Sequence, residues 1–162
     1  MSITKAYCAT EPNARVVPTK IDRRPVGPKD VQIGIEYCGV CHTDIHFVNN
    51  DWGMTNYPVV PGHEIVGRVT EVGSAVKNFI PGDRAAIGCL VDSCGVCGNC
   101  EKGLEQYCLN GFTATYNSET SDPGGFTYGG YSTSVVAKES FVLHIPDSLT
   151  GPGIAPLLCA GI

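Results

Sequence analysis

Four cysteines in one short stretch, Cys94, Cys97, Cys100 and Cys108, follow the spacing C-x2-C-x2-C-x7-C, with Gly95 and Gly98 in the gaps. Two-residue gaps containing glycine let a backbone curl round a small ion, and four thiolates meet the tetrahedral, sulfur-rich preference of a structural zinc. An iron–sulfur cluster is the rival, since C-x2-C-x2-C also opens a ferredoxin run. That run closes with x3-C-P, whereas here the last gap is seven residues and Leu109 follows Cys108. A site closed by four thiolates has no open position, so residues 89–110 are read as a zinc lobe that stabilises rather than catalyses.

The remaining cysteines bring the total to nine, an odd number. The opening residues Met1-Ser2-Ile3-Thr4-Lys5-Ala6-Tyr7 lack the apolar core of a signal peptide. Both observations argue against a secreted disulfide scaffold and for a cytoplasmic, metal-binding chain. The chain has 162 residues, about the size of one domain, and no apolar stretch approaches the ~20 residues needed to span a bilayer. Its net charge of −5, with no basic run, makes nucleic acid and anionic membrane poor partners. The 20 Gly and 11 Pro residues, scattered among short Val/Ile runs, favour turns and short strands over long helices.

The fold class expected is mainly β. Alternation at Val31, Ile33, Ile35 and Tyr37 places four apolar side chains on one strand face. Ile65, Val66, Val69 and Val72 mark a second strand, and residues 84–88, 131–137 and 141–145 are further candidates. This spacing is that of a barrel or sandwich. Two short helices are expected, about residues 41–48 and 101–107. Residues 113–130, rich in Thr, Ser, Gly, Asp and Pro, read as a long exposed loop.

A second concentration of chemistry lies between Cys38 and Glu64. Cys38-Gly39-Val40-Cys41-His42 matches the attachment sequence of c-type haem, which implies export and finds no export signal here. As C-x-x-C alone it is a redox motif. Pro61-Gly62-His63-Glu64 stands on a turn entering a strand, and the helical metalloprotease pattern H-E-x-x-H fails because residue 67 is Gly. His63 joined to Cys41 supplies two ligands of a catalytic site built from two thiolates and one imidazole; the other thiol has to come from elsewhere.

At this point several motifs resemble one family. Gly62-His63-Glu64-Ile65-Val66-Gly67, continuing to Gly73 and Val76, resembles the zinc signature of medium-chain alcohol dehydrogenases. Gly39-Val40-Cys41-His42-Thr43-Asp44 resembles their first ligand segment, and the four-cysteine stretch their structural-zinc lobe. Tyr131-Ser132 after Gly129-Gly130, and the closing Leu157-Leu158-Cys159-Ala160-Gly161-Ile162, are most similar to the cinnamyl alcohol dehydrogenase branch and its bacterial aldehyde-reductase relatives.

The resemblance implies a GroES-like β-barrel with short helices and a four-cysteine zinc lobe over residues 1–150, with residues 151–162 starting the connection to a Rossmann domain. It implies a catalytic zinc on Cys41, His63 and Cys159, and a structural zinc on Cys94, Cys97, Cys100 and Cys108. Zinc then acts as a Lewis acid while hydride moves between a primary alcohol or aldehyde and NADP(H). Asp44 is implied to orient His63, Thr43 and His46 to relay a proton outward, and Glu64 to lie beside the metal. His42 is implied to approach the cofactor pyrophosphate, and Trp52 and Leu90 to line the substrate pocket. Cys8, Cys38 and Cys89 are left as small buried residues. The complete enzyme of this family is implied to be a homo-oligomer.

No Rossmann fingerprint is found; the nearest decoy, Gly151-Pro152-Gly153-Ile154-Ala155-Pro156, has Pro in place of the third glycine. The chain is accordingly expected to be the front half of an enzyme, inactive alone and holding its catalytic zinc weakly. Two other readings stay open: a non-catalytic zinc module for partner binding, and a thiol redox protein using Cys38 and Cys41.

Overall fold

The computed structural model describes residues 2–161; Met1 and the closing Ile162 of the last motif lie outside the described residues. Thr4, Ala6 and Cys8 point inward from β1 (Ser2–Cys8), which pairs antiparallel with β2 (Val17–Arg23). β3 (Asp30–Cys38) is followed by the one α-helix among the described residues, α1 (His42–Asn49), and then by β4 (Ile65–Val72) and β5 (Arg84–Ile87). The short pair β6 (Leu90–Asp92) and β7 (Thr113–Ala114) flanks the cysteine-rich stretch. β8 (Ser134–Lys138) and β9 (Leu143–His144) complete an antiparallel sheet ordered β8-β3-β4-β5-β9.

Main-chain bonds join the two larger sheets. Tyr7 N–H donates to Tyr131 C=O at 2.8 Å, Thr133 N–H to Lys5 C=O at 2.9 Å, and Ile35 N–H to Thr133 C=O at 3.0 Å. The segment leading into β8 thus bridges β1 and β3 and closes a barrel-like wall. Inside it Val31, Ile33, Ile65, Val69, Ala85, Ile87, Val135 and Ala137 form one cluster, drawn from alternate positions of four strands. Each large aliphatic side chain buried there stabilises the fold by about 1.5–3 kcal/mol. Arg23 seals the junction: its guanidinium donates to the carbonyls of Tyr128, Gly129 and Ser134 and to Ser132 Oγ.

Several expectations are corrected. Tyr37 does not share the inward face of Val31 and Ile33. The register shifts between Ile35 and Tyr37, a bulge that turns Tyr37 out to 43% exposure. The helix expected at 101–107 is two 3-10 turns, Cys100–Lys102 and Glu105–Tyr107, split by Gly103 with φ 71°. Strand structure expected from 131 begins at Ser134, and most of 141–145 is taken up by the end of a 3-10 turn, Glu139–Phe141, and a two-residue strand. Residues 113–130 are not an open loop: they contain β7, a bridge between Glu119 and Phe126, and the buried side chains of Thr115, Tyr116 and Thr127.

A 3-10 helix at Pro152–Leu158 packs Ile154 and Ala155 against Val66, Ala86 and Ile145, and so delivers Cys159 to the sheet. Among the described residues no helix is long and apolar enough to cross a membrane.

Candidate functional site

Among the described residues two clusters bring metal-ligating side chains together: Cys94, Cys97, Cys100 and Cys108, and Cys41, His63, Glu64 and Cys159. In each, the donor atoms lie within 4.8 Å of one another. The first is built by turns alone. Sγ of Cys97 stands 3.5 Å from Sγ of Cys100, and Sγ of Cys94 stands 3.9 Å from it. Leu109 N–H points at Cys97 Sγ at 3.4 Å. N–H groups of Cys100 and Leu109 pull the Cys97 thiol down to about 6, so it is readily ionised at neutral pH. Four thiols so close, with N–H groups favouring the thiolate at Cys94 and Cys97 while Cys100 is raised to about 11, fit a closed zinc site.

The second cluster is assembled from three distant parts of the chain. Cys41 caps α1, His63 and Glu64 sit on the turn entering β4, and Cys159 follows the 3-10 helix. Sγ of Cys41 and Sγ of Cys159 are 3.9 Å apart. Asp44, 2% exposed, holds the arrangement: it accepts N–H bonds from Cys41 at 3.0 Å and Gly62 at 2.9 Å, and its Oδ1 lies 3.3 Å from His63 Nδ1. The Tyr131 hydroxyl donates to it at 3.3 Å.

Electrostatics follow the geometry. Burial opposes ionisation of Asp44, but His63 and the two N–H donors outweigh it and hold the carboxyl below its usual range. Burial likewise disfavours a charged His63, and Asp44 more than compensates, raising its pKa. The Cys41 thiol is lowered because, against burial, the Thr43 N–H and hydroxyl and then His63 favour the thiolate. Glu64 is 2% exposed and its Oε2 has no hydrogen-bond partner. An orphaned buried carboxylate beside two thiols and an imidazole is the donor set of a cation site, and it fits zinc.

The other residues singled out lie around this cluster. Thr43 and His46 are three residues apart on α1, hence neighbours on the helix surface. His46 Nδ1 is 2.7 Å from Asp51 Oδ2, and His42 is exposed at the start of the helix. Trp52, 51% exposed, packs against His46 and Phe47. Leu90 is half-buried on β6, opposite Ala114. None of three cavities, of about 350, 210 and 580 Å³, is lined by the second cluster, by Trp52 or by Leu90.

Cys38 stands in surroundings that favour a thiol over the thiolate that redox exchange with Cys41 needs. Its Sγ is wedged against Gly62 and Gly130, where a Cβ would meet it at 2.8 and 2.7 Å, and burial pushes its thiol up to about 12. Cys8 is buried as expected, whereas Cys89 is exposed rather than a core residue. Tyr116 escaped the sequence reading because its segment has no periodicity. It is buried, with its ring stacked on His63 at 5.7 Å and edge-on to Phe47. Gly62 takes φ 103°, a left-handed conformation that favours glycine, and this turn aims His63 at Cys41.

Residues 27–147 match the alcohol dehydrogenase GroES-like domain family. The chain is 55% identical over its whole length to NADP-dependent alcohol dehydrogenase C 1 of Mycolicibacterium smegmatis, covering 46% of that protein. It is 52% identical to the aldehyde reductase YahK of Escherichia coli, over 97% of this chain and 44% of the relative. A cinnamyl alcohol dehydrogenase structure from Sorghum bicolor superposes with a TM-score of 0.94 at 42% identity, over 99% of this chain and 45% of that one. The chain spans about half the length of the curated relatives it matches.

Proposed function

The chain belongs to the alcohol dehydrogenase GroES-like domain family, and from that premise we propose that it is the zinc-binding half of an NADP(H)-dependent alcohol dehydrogenase or aldehyde reductase. In this reading residues 1–150 are the catalytic domain, and residues 151–162 begin the connection to a dinucleotide-binding domain. The observation that carries it is the convergence of Cys41, His63, Glu64 and Cys159 within 4.8 Å of one another, with Asp44 behind His63.

Cys41, His63 and Cys159, with Glu64 beside them, would hold a zinc ion, which would supply Lewis acidity to an alcohol or aldehyde oxygen for hydride exchange with a nicotinamide cofactor. The chain's own residues do the rest. Asp44 fixes the proton on His63 Nδ1 and leaves the Nε2 lone pair for the ion. Thr43 and His46 carry a proton from the substrate hydroxyl toward solvent, with Asp51 holding His46 by Nδ1. His42, exposed at the start of α1, would be available to the cofactor's anionic part, and Trp52 and Leu90 would contribute to the substrate side. The second zinc, on Cys94, Cys97, Cys100 and Cys108, is structural. The setting is cytoplasmic, and the partners are a small alcohol or aldehyde and a second copy of the complete enzyme. Support for NADP over NAD comes from the relatives alone.

The test is NADPH oxidation with an aromatic or aliphatic aldehyde. A protein carrying these residues together with a dinucleotide-binding domain reduces the aldehyde and loses activity in Cys41→Ser and His63→Ala. The 162 residues by themselves give no turnover; zinc-dependent turnover by them alone contradicts the reading.

A further inference from the structure

We propose that Gly39 is a positioning residue for the second cluster: the missing side chain at 39 is what admits the Glu64 carboxylate to the metal site. This rests on the metal-site reading given above. Gly39 N–H donates to Glu64 C=O at 2.9 Å, which locks the two backbones side by side. A Cβ on residue 39 would stand 1.9 Å from Glu64 Oε2 and 3.0 Å from both Cβ and Cδ of Glu64. An approach of 1.9 Å lies far inside van der Waals contact, so the carboxylate has to leave its place.

Backbone conformation does not explain the glycine. Gly39 does not take a positive φ, so the left-handed conformation that favours glycine is not what calls for it. The severe obstruction is the carboxylate oxygen at 1.9 Å; the contacts with Cβ and Cδ of Glu64, at 3.0 Å, ask a few tenths of an ångström of the neighbours. Glu64 cannot move deeper, because it is already 2% exposed, and its Oε2 has no protein donor to hold it elsewhere. Its place is therefore open to it through the space at residue 39, with Oε2 left free to meet a cation beside Cys41, His63 and Cys159. Cys41 follows two residues later, so one short segment supplies both a thiolate ligand and the room for the carboxylate.

The experiment measures zinc affinity of the second site by chelator competition, with the four-cysteine lobe filled, in wild type, Gly39→Ala, Glu64→Ala and the double variant. Gly39→Ala weakens binding by about 10–100-fold, the range for losing a residue that orients a ligand. Glu64→Ala does the same, and the double variant is no weaker than either. Unchanged affinity in Gly39→Ala, or additive losses in the double variant, overturns the proposal. Should Gly39→Ala fail to fold, a double variant that folds supports the steric assignment, and one that also fails overturns it. A wild-type chain that fills only the four-cysteine lobe overturns the metal-site reading itself and the role of Gly39 with it.

Discussion

Asp44 Oδ1 lies 3.3 Å from His63 Nδ1 while the same carboxylate collects the N–H groups of Cys41 and Gly62. One buried side chain therefore fixes the imidazole and two of the three backbone segments that carry ligands.

Replacing Asp44 with Ala leaves two buried N–H groups without an acceptor, at about 1–3 kcal/mol each, and frees the His63 ring. Zinc affinity of the second site is expected to fall by about 10–100-fold, with a matching loss of stability in urea. Asp44→Asn retains an acceptor and loses less of both. Competition against a chelator, alongside urea unfolding, checks the order wild type, Asn, Ala.

Asp30 gives the pH dependence. Its carboxylate pairs with the Arg24 guanidinium and accepts Gly27 N–H at 2.7 Å; although burial opposes ionisation, these partners hold its pKa below the usual range. A carboxyl lowered in the folded state contributes stability that is full above its unfolded value, near ~3.9, and is lost as pH falls through the folded value. Unfolding free energy should decline steeply below about pH 4. Asp30→Asn should be less stable at pH 7 and show a shallower acid limb; identical limbs would contradict the assignment.

Arg23 tests the barrel closure. Its buried guanidinium satisfies three carbonyls and the Ser132 hydroxyl, so Arg23→Met should destabilise the chain by about 2–4 kcal/mol. The urea midpoint should drop without a change in m-value.

Much of this architecture was legible because spacing and periodicity are local. The C-x2-C-x2-C-x7-C run marks its own cluster, and Val31, Ile33 and Ile65 mark the inner faces of their strands. Tyr37 was misread because a bulge is a property of two paired strands, which alternation within one strand does not encode. Residues 113–130 were misread because the fold of that stretch comes from distant partners: Thr115 N–H bonds Cys89 C=O and Tyr116 packs on Phe47. Cys159 was assigned by resemblance and not by composition. Only the packing of Ile154 and Ala155 accounts physically for its arrival beside Cys41. Gly39 carries no signal in a single sequence, since its meaning depends on where Glu64 points.

The central claim is that this chain holds two zinc sites of different kinds. Zinc titration of the metal-free chain, repeated on Cys97→Ser and Cys41→Ser, tests it most directly. Two classes of site are predicted, the tighter abolished by Cys97→Ser and the weaker by Cys41→Ser, each variant keeping the other site. A single class of site, or a second zinc indifferent to Cys41, would contradict it.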